Sequence, residues 1–165
     1  GASANTVGRS AHLEASGRAE LHGDWAAVAT AEEALVALAE SPQERVHHLV
    51  KLAAVQSKQL ADLDAAVALY HDVLALEPAH PHALDALEEL HTYREEWVEL
   101  IDILERRIAA AKSDGRRVQW LLTIAELTER LGDVEGALEV YRRVLAIDPK
   151  HAQARDAVKL LDELR

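Results

Sequence analysis

The chain has 165 residues, 49% of them apolar, a formal charge of −11, and no Cys, Met or Phe. That length suffices for a sizeable core or for several stacked small units. Without Cys there are no disulfides, thiolate metal sites or thiol nucleophiles. No apolar run is long enough to insert into a membrane, and the acidity opposes binding to nucleic-acid backbones or anionic lipid. Ala and Leu dominate while aromatics are only 4%, which suits close helix–helix packing rather than a sheet.

Residues 1–8, opening GASANT, read as a disordered tag or linker. A leader trimmed from that end leaves the compartment open, with the cytoplasm favoured and the periplasm the alternative. A weak helix is expected from about Ser10 to His22, then a turn at Gly23-Asp24. Asp24 caps a helix to about Glu40, with an apolar stripe of Trp25, Val28, Leu35 and Leu38. Ser41-Pro42-Gln43-Glu44 combines a capping hydroxyl, a first-turn proline and a capping-box glutamate, and starts a helix to about Leu60. Asp62 caps the next helix, which stops before Pro78. Helices are expected from His82 to Tyr93 and from Glu95 to Lys112, the second carrying Trp97, Leu100, Ile101, Leu104 and Ile108. After a turn at Ser113-Asp114-Gly115 come helices over Arg116–Arg130, Asp133–Ile147 and Ala152–Leu164. The connections are short enough to make neighbours antiparallel.

The sequence is internally duplicated. Leu60 to Pro78 aligns with Leu131 to Pro149 without a gap at an offset of 71, with eight identities in 19 pairs. The three pairs that differ in kind, Ala68/Glu139, His71/Arg142 and Asp72/Arg143, share one helical face. A duplicated helix that keeps its apolar face and lets a polar face drift is preserved for packing. Upstream, Ser41 to Val46 aligns with Ser113 to Val118 at an offset of 72, so an extra residue lies near Gln59. Leu21 to Trp25 aligns with Tyr93 to Trp97 at the same offset. The unit is four helices, present twice, each divisible into two helix hairpins.

Ala125, Gly132, Ala137, Tyr141 and Pro149 supply a small residue, a turn glycine, a second small residue, an aromatic and a closing proline; Ala66, Tyr70 and Pro78 repeat part of the pattern. At these residues the chain resembles the tetratricopeptide repeat family, in its divergent bacterial form. Ala61 replaces the turn glycine in the earlier copy, Val73 and Val144 stand where alanine is usual, and two hairpins carry Trp25 and Trp97 instead of the signature. The resemblance implies an all-α, right-handed α-solenoid of nine helices. The repeat domain would cover residues 9–165, with hairpins at about 9–40, 41–78, 81–112 and 113–149 and a capping helix at 152–164. In that last helix Val158 and Leu161 are expected to pack inward, and Lys159, Asp162, Glu163 and Arg165 to face outward.

Members of this family hold a peptide or partner helix on a concave face lined by the first helix of each hairpin. The residues expected there are His47, Val50, Ser57 and Lys58; His82, Asp85, Glu89, Thr92 and Tyr93; Gln119, Leu122, Glu126, Glu129 and Arg130; and Gln153 and Asp156. Their balance is acidic and suits a basic protein or peptide segment. The family's Lys/Asn/Arg carboxylate clamp is not reproduced, since no Asn follows Asn5. His80 and His82 flank Pro81, and His47 and His48 are adjacent, but neither arrangement has ligand spacing, so no metal is expected. There is no phosphate loop, nucleophile motif or marked carboxylate pair, so neither a cofactor nor an enzymatic activity is expected. The expected function is a non-enzymatic interaction scaffold. The alternatives are a homo-oligomerising spacer or the docking part of a larger enzyme, secretion or motility assembly.

Overall fold

The structure is a computed structural model that describes residues 2–165. Its elements are α1 (Ala2–Leu21), α2 (Trp25–Leu38), α3 (Pro42–Lys58), α4 (Leu63–Leu76), α5 (Pro81–Tyr93), α6 (Trp97–Ala110), α7 (Asp114–Arg130), α8 (Val134–Ile147) and α9 (Ala152–Glu163). No strand occurs among the described residues. The chain divides into two compact units, one ending at Leu90 and one running from His91 to Arg165. In the first, α1 packs on α2, α2 on α3 and α3 on α4; in the second, α6 packs on α7, α7 on α8 and α8 on α9.

Each hairpin closes in the same way. Gly23, Ala61, Glu95 and Gly132 all have a left-handed backbone, with φ of 68°, 55°, 54° and 81°. The residue after each turns its amide back into the preceding helix: Asp24 to Ala19, Glu96 to His91 and Asp133 to Thr128. This is the glycine-type helix stop, satisfying carbonyls that the helix leaves open. In the second hairpin the amide of Asp62 reaches Gln56, one residue further back, which places the extra residue inferred near Gln59 inside this turn. Asp24, Asp62 and Asp133 then cap the following helices, accepting from the amides of Ala27, Ala65 and Gly136. Glu96 stands at the equivalent place and makes no side-chain cap; its carboxylate accepts instead from His91 Nδ1 at 3.2 Å and Arg94 Nε at 3.0 Å.

Besides α6, which starts at Trp97 rather than Glu95 because Glu95 is the left-handed turn residue, two boundaries differ from expectation. The first helix begins at Ala2 rather than Ser10. Its added turns are tied down by Asn5 donating to Glu40 at 2.7 Å and by Arg9, which pairs with Glu40 and Glu44. These partners lie more than thirty residues away, where no local pattern shows them. Glu44 also accepts from the Glu40 amide, and that bond, with the Arg9 guanidinium, holds its carboxyl below the usual range. The expected capping box therefore reaches one residue beyond the Ser41 cap. The second difference is at Asp114-Gly115, expected as turn: Ser113 is the cap and both residues belong to α7, just as Ser41 precedes Pro42 and Gln43.

The core is duplicated too. Val28, Ala29, Leu52 and Val55 pack with Trp25 and Leu69 in the first unit. In the second, Leu100, Leu104, Leu121, Ile124, Leu138 and Tyr141 form one cluster, with Trp97 and Trp120 half-buried against it. On the drifting face of α8, Arg143 forms a two-pronged pair with Glu105 of α6, and Arg142 reaches Asp162 of α9 at 3.4 Å. α9 buries Leu161 and half-buries Val158, but it exposes Leu160 and Leu164 beside its polar residues, so its outward side is not wholly polar.

Glu95→Gly and Ala61→Gly are each expected to raise the unfolding free energy by about 0.5–1 kcal/mol. That is the relief of an L residue's left-handed strain less the backbone entropy of glycine. Chemical denaturation checks this, and a loss of stability in both variants would show that the turns are unstrained.

Candidate functional site

In the first unit five of the expected residues line one pocket. Ser57 and Lys58 from the last turn of α3, Leu63 and Tyr70 of α4, and His82, Asp85, Ala86, Glu89 and Leu90 of α5 line a pocket of about 310 Å³. His82, Asp85 and Glu89 recur at spacings of three and four and so share one face of α5. That helix is started by Pro81 and capped by His80, whose Nδ1 accepts from the Ala83 amide at 3.2 Å. Tyr70 is buried and meets the His82 ring edge-on, with centroids 5.8 Å apart. Burial first, and the Glu89 carboxylate second, push the Tyr70 hydroxyl up from its ordinary pKa.

The second unit carries the sequence counterparts of these positions with different chemistry. At the offset of 71, Gln153, Asp156 and Leu160 of α9 and its C-cap Leu164 stand where α5 has His82, Asp85, Glu89 and Tyr93. α9 is capped in the same way, His151 Nδ1 accepting from the Ala154 amide at 3.2 Å. Gln153 donates to Glu126 of α7 at 3.5 Å. Tyr141, the counterpart of Tyr70, is buried, and its pKa is pushed up to about 12, first by burial and then by the Glu129 and Glu126 carboxylates. Each unit thus sets a buried tyrosine beneath carboxylates carried by the neighbouring helices.

The remaining expected residues lie outside these groups or at their edges. His47 is exposed and Val50 half-buried, earlier on α3; Gln119 and Leu122 hold the corresponding part of α7. Thr92 and Tyr93 fall in the second unit, with Tyr93 77% exposed. Arg130 places its guanidinium 5.1 Å from the Trp97 ring centroid, a cation–π contact that draws one of the two expected basic residues onto an aromatic face. Trp120 likewise lies near the guanidinium groups of Arg107 and Arg116. No group of three or more candidate metal ligands occurs among the described residues.

One cluster was not read from the sequence. Glu32 of α2, only 1% exposed, accepts from Ser16 Oγ at 2.7 Å and His48 Nδ1 at 2.6 Å, and pairs with Lys51 Nζ at 3.4 Å. Lys51 also meets Glu20 at 3.3 Å; its partial burial works against the charge, but Glu32 and Glu20 outweigh it and raise its pKa. The legible signal was Glu32 itself, which interrupts the stripe of Trp25, Val28, Leu35 and Leu38 at a core position.

The family model for the tetratricopeptide repeat matches residues 83–118 and 121–153. Residues 83–153 carry two tetratricopeptide repeats. The first match covers the Trp97 hairpin, which lacks the repeat's aromatic and proline signature. Over 101 residues the chain is 31% identical to Cellulose synthase 2 operon protein C of Komagataeibacter xylinus. That alignment covers 61% of this chain and only 8% of the length of that protein. Two crystal structures of MamA are similar in fold. One has a TM-score of 0.52 at 17% identity, covering 94% of this chain and 81% of that one. The other has a TM-score of 0.51 at 18% identity, covering 90% and 82%. At such identities the likeness is one of fold, and the fold class is the all-α repeat solenoid that the resemblance implies. Tetratricopeptide repeats serve as protein–protein interaction scaffolds. No helix among the described residues is long and apolar enough to cross a membrane.

The raised tyrosines have a stability consequence. An unfolded tyrosine loses its proton near pH 10, roughly, whereas Tyr141 holds it to about 12. The folded state binds more protons in that window, so stability is fully present below the lower value and falls as pH rises through the upper one. Alkaline unfolding followed by circular dichroism is expected to begin in this range and to shift to higher pH in Tyr141→Phe. An unchanged alkaline limb in that variant would dissociate Tyr141 from it.

Proposed function

We propose that the chain is a non-enzymatic scaffold that binds a basic segment of a protein partner in the grooves framed by α3, α4 and α5 and by α7, α8 and α9. The observation that carries this reading is the pocket over Tyr70, where five residues expected of a binding face, Ser57, Lys58, His82, Asp85 and Glu89, line one cavity. A Lys or Arg side chain entering it meets Asp85 and Glu89 with Tyr70 and Leu63 as an apolar floor, an arrangement that suits a long aliphatic stem with a charged head. In the second unit Glu126 meets Gln153 of α9 and acts with Glu129 on Tyr141, while Leu160 and Leu164 are exposed, which favours a segment that alternates basic and apolar residues. The helices are held by their own caps and cores, so the scaffold loses little freedom on binding. The similarity to part of a much longer cellulose synthase operon protein supports use of such a module as the docking part of a larger assembly.

The test is titration of a fluorescent Lys- and Arg-containing peptide against the parent and against Asp85→Lys with Glu89→Lys. Binding that weakens at least about tenfold in the variant, or about 1.4 kcal/mol, and that also weakens with added salt, is the expected outcome. Equal affinity for both proteins, or binding that ignores salt, removes the first groove from the proposal.

A further inference from the structure

The duplication makes α2 and α3 the counterparts of α6 and α7, which creates an assembly problem that neither pair reveals alone. α2 docks on α3 and α6 docks on α7, and at the offset of 72 the two seams align position by position. The core positions at these two seams are nevertheless chemically opposed. At the offset of 72, Glu32 corresponds to Leu104, His48 to Trp120 and Lys51 to Thr123. The first seam buries a carboxylate with its donors, Glu32 at 1%, Ser16 at 2% and His48 at 5% exposed. The second is apolar, with Leu104 buried and Trp120 packed against the same cluster. Outside the core the contrast persists: Glu44, which pairs with Arg9 of α1, has Arg116 as its counterpart.

We infer that Glu32 and His48 form a docking address that directs the α1–α2 hairpin to α3 and excludes it from α7. A buried carboxylate is tolerated only where its donors come with it. On α3 Glu32 receives two of them, from His48 and Lys51. On α7 it would face Trp120, whose ring packs on an apolar cluster and already holds the Arg116 guanidinium 5.9 Å from its centroid, and Thr123, whose hydroxyl already donates to the Gln119 carbonyl at 3.1 Å. The reverse error is penalised as well, because Leu104 on α3 would strip His48 and Lys51 of their carboxylate. A single buried polar residue is known to select register and partner in helical assemblies. Here the same device distinguishes two copies of one repeat, whether the wrong face belongs to the same chain or to a second copy of it.

The test uses the full chain, whose lack of cysteine permits thiol cross-linking reporters. Arg9→Cys with Glu44→Cys, joined by a bifunctional maleimide with about the combined reach of the two side chains it replaces, reports correct docking, because those side chains touch. Arg9→Cys with Arg116→Cys, joined by the same reagent, reports crossed docking, intramolecular or between copies. Each pair is placed in the parent and in two backgrounds whose seams are matched, Glu32→Leu with His48→Trp, and Leu104→Glu with Trp120→His. After refolding and brief cross-linking, the 9–44 bridge is expected to dominate in the parent. The 9–116 bridge, seen as a monomer or a swapped dimer on denaturing gels, is expected to rise several-fold in both matched backgrounds. No rise in either overturns the address. Failure of both matched variants to fold overturns it too, since an address predicts that like seams still dock.

Discussion

Helix spacing in this chain is set by alanine. Ala53 and Ala66 in the first unit, and their counterparts Ala125 and Ala137 in the second, have no exposed surface. So do Ala83 and Ala154, the paired positions on α5 and α9. Interaxial distance depends on the side chains at the crossing, and a methyl group there lets two helices approach until the larger residues on either side interlock. Val73 and Leu74, or Val144 and Leu138, then fill the remaining space. A longer side chain at any of these alanines would separate the helices and open the floor beneath Tyr70 or Tyr141. The candidate grooves depend on that closeness.

The turns complete the geometry. A left-handed residue ends the first helix of every hairpin, and in three of the four an aspartate two carbons long caps the next. Where the aspartate becomes Glu96, the added methylene takes the carboxylate to His91 and Arg94 instead, and the turn persists because its backbone hydrogen bonds do not depend on the cap. Histidine serves as the cap at α5 and α9. His80 is therefore occupied structurally, while His82, two residues on, faces the pocket. The same loop supplies one residue to the fold and one to the surface.

Duplication followed by local divergence separates the two units by function of position. Apolar and small positions are retained. The polar faces diverge: Asp72 and His71 give way to Arg143 and Arg142, which bind the neighbouring helices through Glu105 and Asp162. In the grooves, Glu89 gives way to Leu160 and Lys58 to Arg130, which lies on Trp97. One frame thereby presents two differently charged surfaces, and one seam carries a buried carboxylate where the other is apolar.

The sequence by itself determined the helical class, the number and approximate limits of the helices, the repeat and its one-residue irregularity. Periodicity, caps and helix stops are local, and a gapless internal alignment requires no coordinates. It also pointed to a row of residues on the first helix of each hairpin, because helical spacing decides which side chains share a face. Tertiary structure alone decided which of them meet. Ser57 and His82 lie on different helices, and only the approach of α5 to α3 and α4 puts them around one pocket over a tyrosine. It also decided that α1 extends to Ala2, since the groups holding its first turns, Glu40 and Glu44, are remote in the chain. The burial of Glu32 was decided there too: a lone acid in an apolar stripe is interpretable only when Ser16, His48 and Lys51 arrive from two other helices to satisfy it.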